Sequence, residues 1–201
     1  MALGYSISAI ISILSKCEFI NLNSDEINNI TKSLKTLIKD FSIEKPAKEN
    51  IAKNLSLKLK NKIPVIVSSE HLIGSSHSFK NILNETSKTF SVLFDIPELN
   101  HHLMEGLRNP AEAKNYLKFV FIESDSYTPR VQKRYEITKE VVEKNDVDYI
   151  TYQVSTTSKI EQIFEVVILG MFVSFYLSYL YGVDPSKIPW VDYFKEKLAK
   201  T

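Results

Sequence analysis

Cysteine is nearly missing from this chain of 201 residues: Cys17 is the only one. That excludes a disulfide framework and a thiolate zinc site, and it makes a reducing, cytoplasmic setting the expectation. Glycine and proline are sparse, five and seven residues, so low complexity and disorder are excluded. No charge of one sign dominates. The net charge of +1 provides no bulk field for a nucleic acid or a membrane surface, and neither is expected as a partner. The four histidines, His71, His77, His101 and His102, form no HExxH and no other i, i+4 pair, so no metal site is expected. There is no GxSxG elbow and no complete P-loop, and no cofactor is expected.

Two apolar runs resemble membrane segments without meeting the requirements. The first, Ala2 to Leu14, lacks a basic n-region and a small-residue cleavage site, so no signal peptide is expected. The second, residues 166–182, has no formal charge but is short for a span. It carries Ser174, Ser178, Tyr176, Tyr179 and Tyr181, and Glu161 and Glu165 precede it. It is read as a buried core helix.

What the chain does contain is apolar residues, 44% of the total, enough for one core with an appended helical layer. Residues 1–62 read as a helical segment packing on a sheet, and residues 63–201 as an α/β core. A mostly buried helix is expected over 4–16. Asn23, Ser24 and Asp25 cap a second, reaching Phe41 with Ile27, Ile30, Leu34, Leu37 and Ile38 on one face. Pro46 opens a third, to Leu59, with Ile51, Leu55 and Leu59 inward. Nine lysines and three acidic residues lie between Lys32 and Lys62. They read either as the solvated face of two helices or as a positive field for a phosphorylated ligand.

From Ile63 the period changes. Strands are expected at 64–69, 90–94, 116–122 and 148–154, with helices at 76–88, 129–144, 159–181 and 190–200 between and after them. Gly182 stops the long helix and Asp184-Pro185 turns the chain. The alternation implies a mainly parallel sheet covered on both faces, with loops 68–78, 96–102 and 123–128 at its carboxyl edge.

The chemistry concentrates in residues 80–102, KNILNETSKTFSVLFDIPELNHH. Glu85 and His101 flank an apolar run and are expected at one edge of the sheet. A carboxylate and an imidazole together can move protons. Two readings stay open for each: Glu85 as a surface glutamate or a base, His101 as a solvated loop histidine or a functional one. His102 is not separable from His101 by pattern. GSSHS (74–78) is a weak candidate for phosphate binding through backbone amides.

Several segments then show a likeness. ALGYSISAIISIL, KIPVIVSSEHL, PRVQKRYEITKEVVE and ILGMFVSFYLSYLYGVDP resemble the carboxyl-terminal half of the bifunctional phosphoglucose/phosphomannose isomerases of the sugar isomerase (SIS) superfamily. FKNILNETSK is similar to the family's W-K-T-Q-L-N-E-N-A-K, retaining Lys80, Leu83, Asn84, Glu85 and Lys88, and IPELNHH is similar to its P-E-L-N-H-N. The resemblance implies an SIS-type three-layer α/β fold with a mainly parallel sheet flanked by helices. It implies interconversion of glucose 6-phosphate or mannose 6-phosphate with fructose 6-phosphate. Glu85 would shuttle a proton between C1 and C2 through a cis-enediolate. His101, delivered by the partner subunit of a homodimer, would assist ring opening, and Lys195 would lie near the substrate. Ser68, Ser69, Lys80 and Asn84 are the candidate substrate contacts.

The resemblance also implies that the Ser/Thr-rich phosphate loop and an enediolate-steadying arginine lie outside this chain; either a separately encoded SIS domain supplies the loop, or the chain is a truncated, weakly active or inactive relative. Ser78 and Ile82 stand where the family has arginine and glutamine. Ile188 stands at a position that influences mannose acceptance. A non-catalytic SIS-type module, binding a sugar phosphate or only dimerising, is the other reading.

Overall fold

A run of apolar and β-branched residues such as IPVIVSS is stable as a strand only where both faces of its sheet are covered. In the computed structural model, which describes residues 3–200, this run is β1 (Ile63–Ser69), buried along nearly its whole length. The sheet also contains β2 (Val92–Ile96), β3 (Leu117–Glu123) and β4 (Asp148–Gln153), in the order β2-β1-β3-β4. All three pairings are parallel, with Val65 of β1 opposite Val92 and Phe119.

Eight α-helices accompany it among the described residues: α1 (Leu3–Lys16), α2 (Ser24–Phe41), α3 (Ile51–Leu59), α4 (Ile73–Thr86), α5 (Leu99–Gly106), α6 (Pro129–Lys144), α7 (Lys159–Tyr181) and α8 (Pro189–Leu198). The chain leaves β1 toward β2 through α4, and reaches β3 and β4 through α5 and α6. Crossovers in opposite directions place their helices on opposite faces, giving three layers with a switch point between β1 and β3. α7 packs beside α4, and α2 and α3 pack on α7. Leu37, Phe41, Leu55 and Leu59 of these outer helices belong to the same apolar core as Val65, Ile66, Phe119 and Phe121 of the strands.

Local chemistry sets the ends of the elements. Asn23 caps α2 in a reciprocal capping box with Glu26. Asn50, not Pro46, starts α3: its side chain accepts from the amide of Lys53 and donates to the carbonyl of Ser42. Gly182 ends α7 at φ 66°, a left-handed conformation that glycine adopts without strain. α7 is apolar enough to cross a membrane by length and composition. Here it is a core helix, with Val166, Leu169, Val173 and Leu177 buried.

Several sequence expectations need correction. α1 buries no residue: Tyr5, Ile10 and Ile13 are exposed, and no described element covers that face. Ile27, Ile38 and Ile51 are exposed as well, and Ala52 and Ser56 take the inward positions of α3. α4 starts at Ile73, so GSSHS is helix and not a phosphate turn; Ser75 and Ser78 donate back to the carbonyls of Leu72 and Gly74. β2 starts two residues later than expected, because Ser91 is tied to Asn84 before the strand begins.

α4 and α7 lie close because Gly170 has no side chain. A Cβ there would stand 2.8 Å from Phe79 Cδ2 and 3.0 Å from its Cα. Backbone cannot yield cheaply to such an overlap, and overpacking costs about 1–3 kcal/mol. Gly170→Ala should therefore lower the thermal midpoint by roughly 2–10 °C, whereas Gly74→Ala, which meets open space, should not. Paired thermal melts check this.

Candidate active site

The crossover topology decides where the candidate residues stand. α4 begins at the carboxyl end of β1 and must return to the amino end of β2. Glu85, one residue from its end, is therefore at the amino edge of the sheet. His101 follows β2 and is at the carboxyl edge. The five residues of β2 alone separate the two edges by about 17 Å. The expectation that Glu85 and His101 share one edge is wrong for a single protomer. A helix and a strand of similar length, joined by a tight turn, return the chain to the edge it left.

Glu85 is exposed and ends its helix with no ion pair to another described residue. The turn that presents it is tightly built. Lys88 adopts φ 56° and donates through Nζ to the Glu85 carbonyl at 2.7 Å. The Thr89 amide reaches back to the Leu83 carbonyl. Asn84 spends its side chain on the chain entering β2, accepting from the Ser91 amide at 3.1 Å and donating to the Ser91 carbonyl. Lys80, half-buried one turn earlier, has no ion pair to a described residue.

A groove of about 390 Å³ opens at this turn, lined among others by Lys62, Lys88, Thr89, Phe90 and Tyr181. The Tyr181 hydroxyl accepts from the Asn61 amide at 2.7 Å, which ties the end of α7 to the start of β1. α8 therefore leaves from Glu85's edge. Lys195 is on α8, exposed like the rest of that helix. Asp184, in the turn before α8, is held below the usual carboxylate range by hydrogen bonds from Ser186, with Lys187 and Lys88 adding to the effect. The amino edge is also basic: Lys118 is buried against Asp148, and burial, then Lys62 and Lys58, push its pKa down. A larger groove, about 550 Å³ between α2 and the start of α7, contains none of the candidate catalytic residues.

The PELNHH segment is a helix start, not the expected loop. Its residues divide by role. Leu99 is buried. Asn100 joins α5 to α6, donating to Thr138 Oγ1 at 2.8 Å and accepting from Arg134. His101 is thereby left on the surface, exposed. His102 lies 3.9 Å from Glu98 and is tilted against Phe94.

Ser68 and Ser69 are inside the sheet, 0% and 1% exposed, so neither reaches a ligand in this conformation. The Ser69 hydroxyl donates to the Ile96 carbonyl, and its amide donates to the Tyr127 hydroxyl, whose pKa burial pushes up to about 12. Ser78 is half-buried and Ile82 buried on α4, so neither reproduces a charged or amide partner for Glu85.

Sequence reasoning placed three loops at the carboxyl edge of the sheet but missed what fills it. There Gln162 and Glu165 of α7 take up the donors of three loops. The available signal was two carboxylates and an amide in the first turns of an otherwise apolar helix, directly after the Ser/Thr run 155–158.

Comparisons with known proteins agree with this architecture. The profile described as "Bacterial phospho-glucose isomerase C-terminal SIS domain" matches residues 48–198. A bifunctional phosphoglucose/phosphomannose isomerase of Caldicellulosiruptor bescii is 30% identical over 99% of this chain and 59% of its own length. One from Aquifex aeolicus is 31% identical over 85% and 56%. The chain thus spans little more than half the length of these curated relatives. Among solved structures, a glucose-6-phosphate isomerase like protein from Thermus thermophilus superposes with a TM-score of 0.67 at 19% identity, over 80% of this chain and 54% of that one. A glucosamine-6-phosphate deaminase from Thermotoga maritima superposes with a TM-score of 0.59 at 13% identity, over 83% and 48%. These two likenesses concern the fold. The matched profile covers most of the chain, and the chain belongs to the family of bacterial phosphoglucose isomerase C-terminal SIS domains.

Proposed function

We propose that this chain is the glutamate-bearing half of a sugar-phosphate aldose–ketose isomerase that interconverts glucose 6-phosphate or mannose 6-phosphate with fructose 6-phosphate. Support comes from the relatives named as bifunctional phosphoglucose/phosphomannose isomerases. The observation that carries the reading is Glu85: an ion-pair-free carboxylate at the end of α4, on a rigid turn, beside a lysine-lined groove.

In this reading Glu85 takes the proton from C2 of the open-chain aldose and returns it to C1, while the C2 hydroxyl proton passes to the C1 oxygen. Electrons move from the C2–H bond into the cis-enediolate and back, and no cofactor takes part. A carboxylate closed off from water by a docked partner is suited to this. His101 serves ring opening at the site of a second copy, because its own Glu85 is on the far side of the sheet. Lys195 approaches the substrate from α8, which leaves from Glu85's edge. Lys80 is the substrate contact retained on α4, and Asn84 positions the turn. The phosphate is held by the other SIS half, the part of the relatives that this chain does not span.

Assembly follows from the same surfaces. Ile10 and Ile13 on α1, and Trp190 and Phe194 on α8, are exposed large apolar residues, of the kind that association covers. We assign these faces to a homodimer and to the phosphate-binding half. A soluble, cytoplasmic protein is in keeping with the single free thiol of Cys17.

Two measurements test the reading. With the phosphate-binding half supplied, Glu85→Gln should abolish turnover of fructose 6-phosphate, and His101→Ala should reduce it by about 10²–10⁴-fold. Co-refolding the two inactive variants should restore about a quarter of wild-type turnover, since half the dimers are hybrids with one intact site each. No restoration would contradict a site shared between copies. A wild-type chain that gains thermal stability from fructose 6-phosphate yet never turns it over would be a binding module instead.

A further inference from the structure

In parallel α/β sheets a ligand is expected at the carboxyl edge, near the switch point. In this chain that edge is filled by its own side chains. Between β1 and β3, Gln162 Oε1 accepts from Ser124 Oγ at 2.7 Å and meets His71 Nε2 at 2.7 Å. Its amide nitrogen donates to Ser126 Oγ and to the Thr156 carbonyl. Glu70 accepts from both the amide and the hydroxyl of Thr128, closing the same gap.

The exit from β4 is more telling. Glu165 Oε1 accepts from Tyr152 Oη at 2.7 Å, the Ser155 amide at 2.8 Å and Ser155 Oγ at 2.9 Å. Oε2 accepts from the Thr156 amide at 2.9 Å and Thr156 Oγ1 at 2.7 Å. The residue is 0% exposed. No Lys, Arg or His among the described residues pairs with it. Glu161, one turn earlier, has an ordinary explanation as the partner of Ser158 in a capping box. Glu165 has none of that kind. It is too far into α7 to cap it.

A buried carboxylate with no cation is costly unless hydrogen bonds to the charged form replace its hydration. Here two consecutive amides, two hydroxyls and a phenol do so. Consecutive amides joined by hydroxyls at the end of a parallel strand are the donor set that binds free oxoanions. We propose that Tyr152, Ser155 and Thr156 form an oxoanion-binding cradle that Glu165, tethered on α7, keeps permanently filled. The ligand class is a carboxylate or similar small oxoanion. A consequence is that the carboxyl edge of this sheet is closed to an external phosphate.

Glu165→Ala removes the equivalent of one acetate, and acetate is the probe. Thermal midpoints of wild type, Glu165→Ala and Glu165→Gln are measured against sodium acetate and against sodium chloride at equal ionic strength. Glu165→Ala should melt lower than wild type and recover saturably with acetate but not with chloride, following the linkage of stability to bound ligand. Wild type, already filled, and Glu165→Gln, whose amide blocks the space, should respond alike to both salts. Adding Ser155→Ala and Thr156→Ala to Glu165→Ala should remove the recovery. If Glu165→Ala does not fold in chloride, the native yield on refolding in acetate replaces the midpoint, and equal yields in the two salts overturn the proposal. So does a Glu165→Ala midpoint that treats acetate and chloride alike, or saturable phosphate binding to wild type that Ser155→Ala with Thr156→Ala abolishes. None of these readouts is isomerase turnover, so this result and the isomerase assignment fail separately.

Discussion

The contact on which the rest of the molecule depends is that of α7 against α4, made possible by Gly170 lying bare against Phe79. α7 is long enough to run the full depth of the sheet, and it acts at both ends. At the carboxyl edge its first turns supply Gln162 and Glu165 to the loops after β1, β3 and β4. At the amino edge its last residue, Tyr181, holds Asn61 ahead of β1. In between, its close approach fixes the axis of α4, and α4 determines where Glu85 stands. Closing one edge of the sheet and presenting a carboxylate at the other are thus two effects of one helix packing.

This arrangement accounts for the division of labour within the two short motif segments. In PELNH, leucine anchors, asparagine joins α5 to α6, and histidine is left exposed at the carboxyl edge. In LNETSK, asparagine clamps the return to β2, lysine closes the turn, and glutamate is left exposed without an ion pair to a described residue. Glu85 and His101 are each exposed while their neighbours make the structural bonds. A carboxylate and an imidazole on opposite sides of one sheet cannot meet within one chain. In the proposed reading, the exposed apolar residues of α1 and α8 are where a second copy or the other SIS half would bring the two together.

Much of this was legible in the sequence. The run IPVIVSS, the capping residues at Asn23 and the stop at Gly182 each have a local cause, and the corresponding elements formed where expected. Glu85 and His101 stood out by residue type and by likeness to a known pair of motifs. What misled was anything decided by distant partners. Amphipathic spacing in α1 indicated burial, but no described element lies over that face. GSSHS looked like an anion loop, yet Ser75 and Ser78 bond to their own helix. The shared edge expected for Glu85 and His101 failed because a sixteen-residue separation spanned a full strand and two turns. Glu165 was passed over as a residue preceding an apolar run, since five donors converging on one carboxylate come from parts of the chain whose meeting only the fold reveals.

The central claim is that Glu85 is a base for a carbon-bound proton. Hydrogen exchange at C1 of fructose 6-phosphate in deuterium oxide, followed by proton NMR, tests it most directly, because exchange reports proton abstraction even where net isomerisation is slow. With the phosphate-binding half supplied, the wild-type chain should exchange deuterium into one of the two C1 positions, and Glu85→Gln should not. Exchange that proceeds equally in Glu85→Gln, or is absent from the wild-type assembly, would contradict the account.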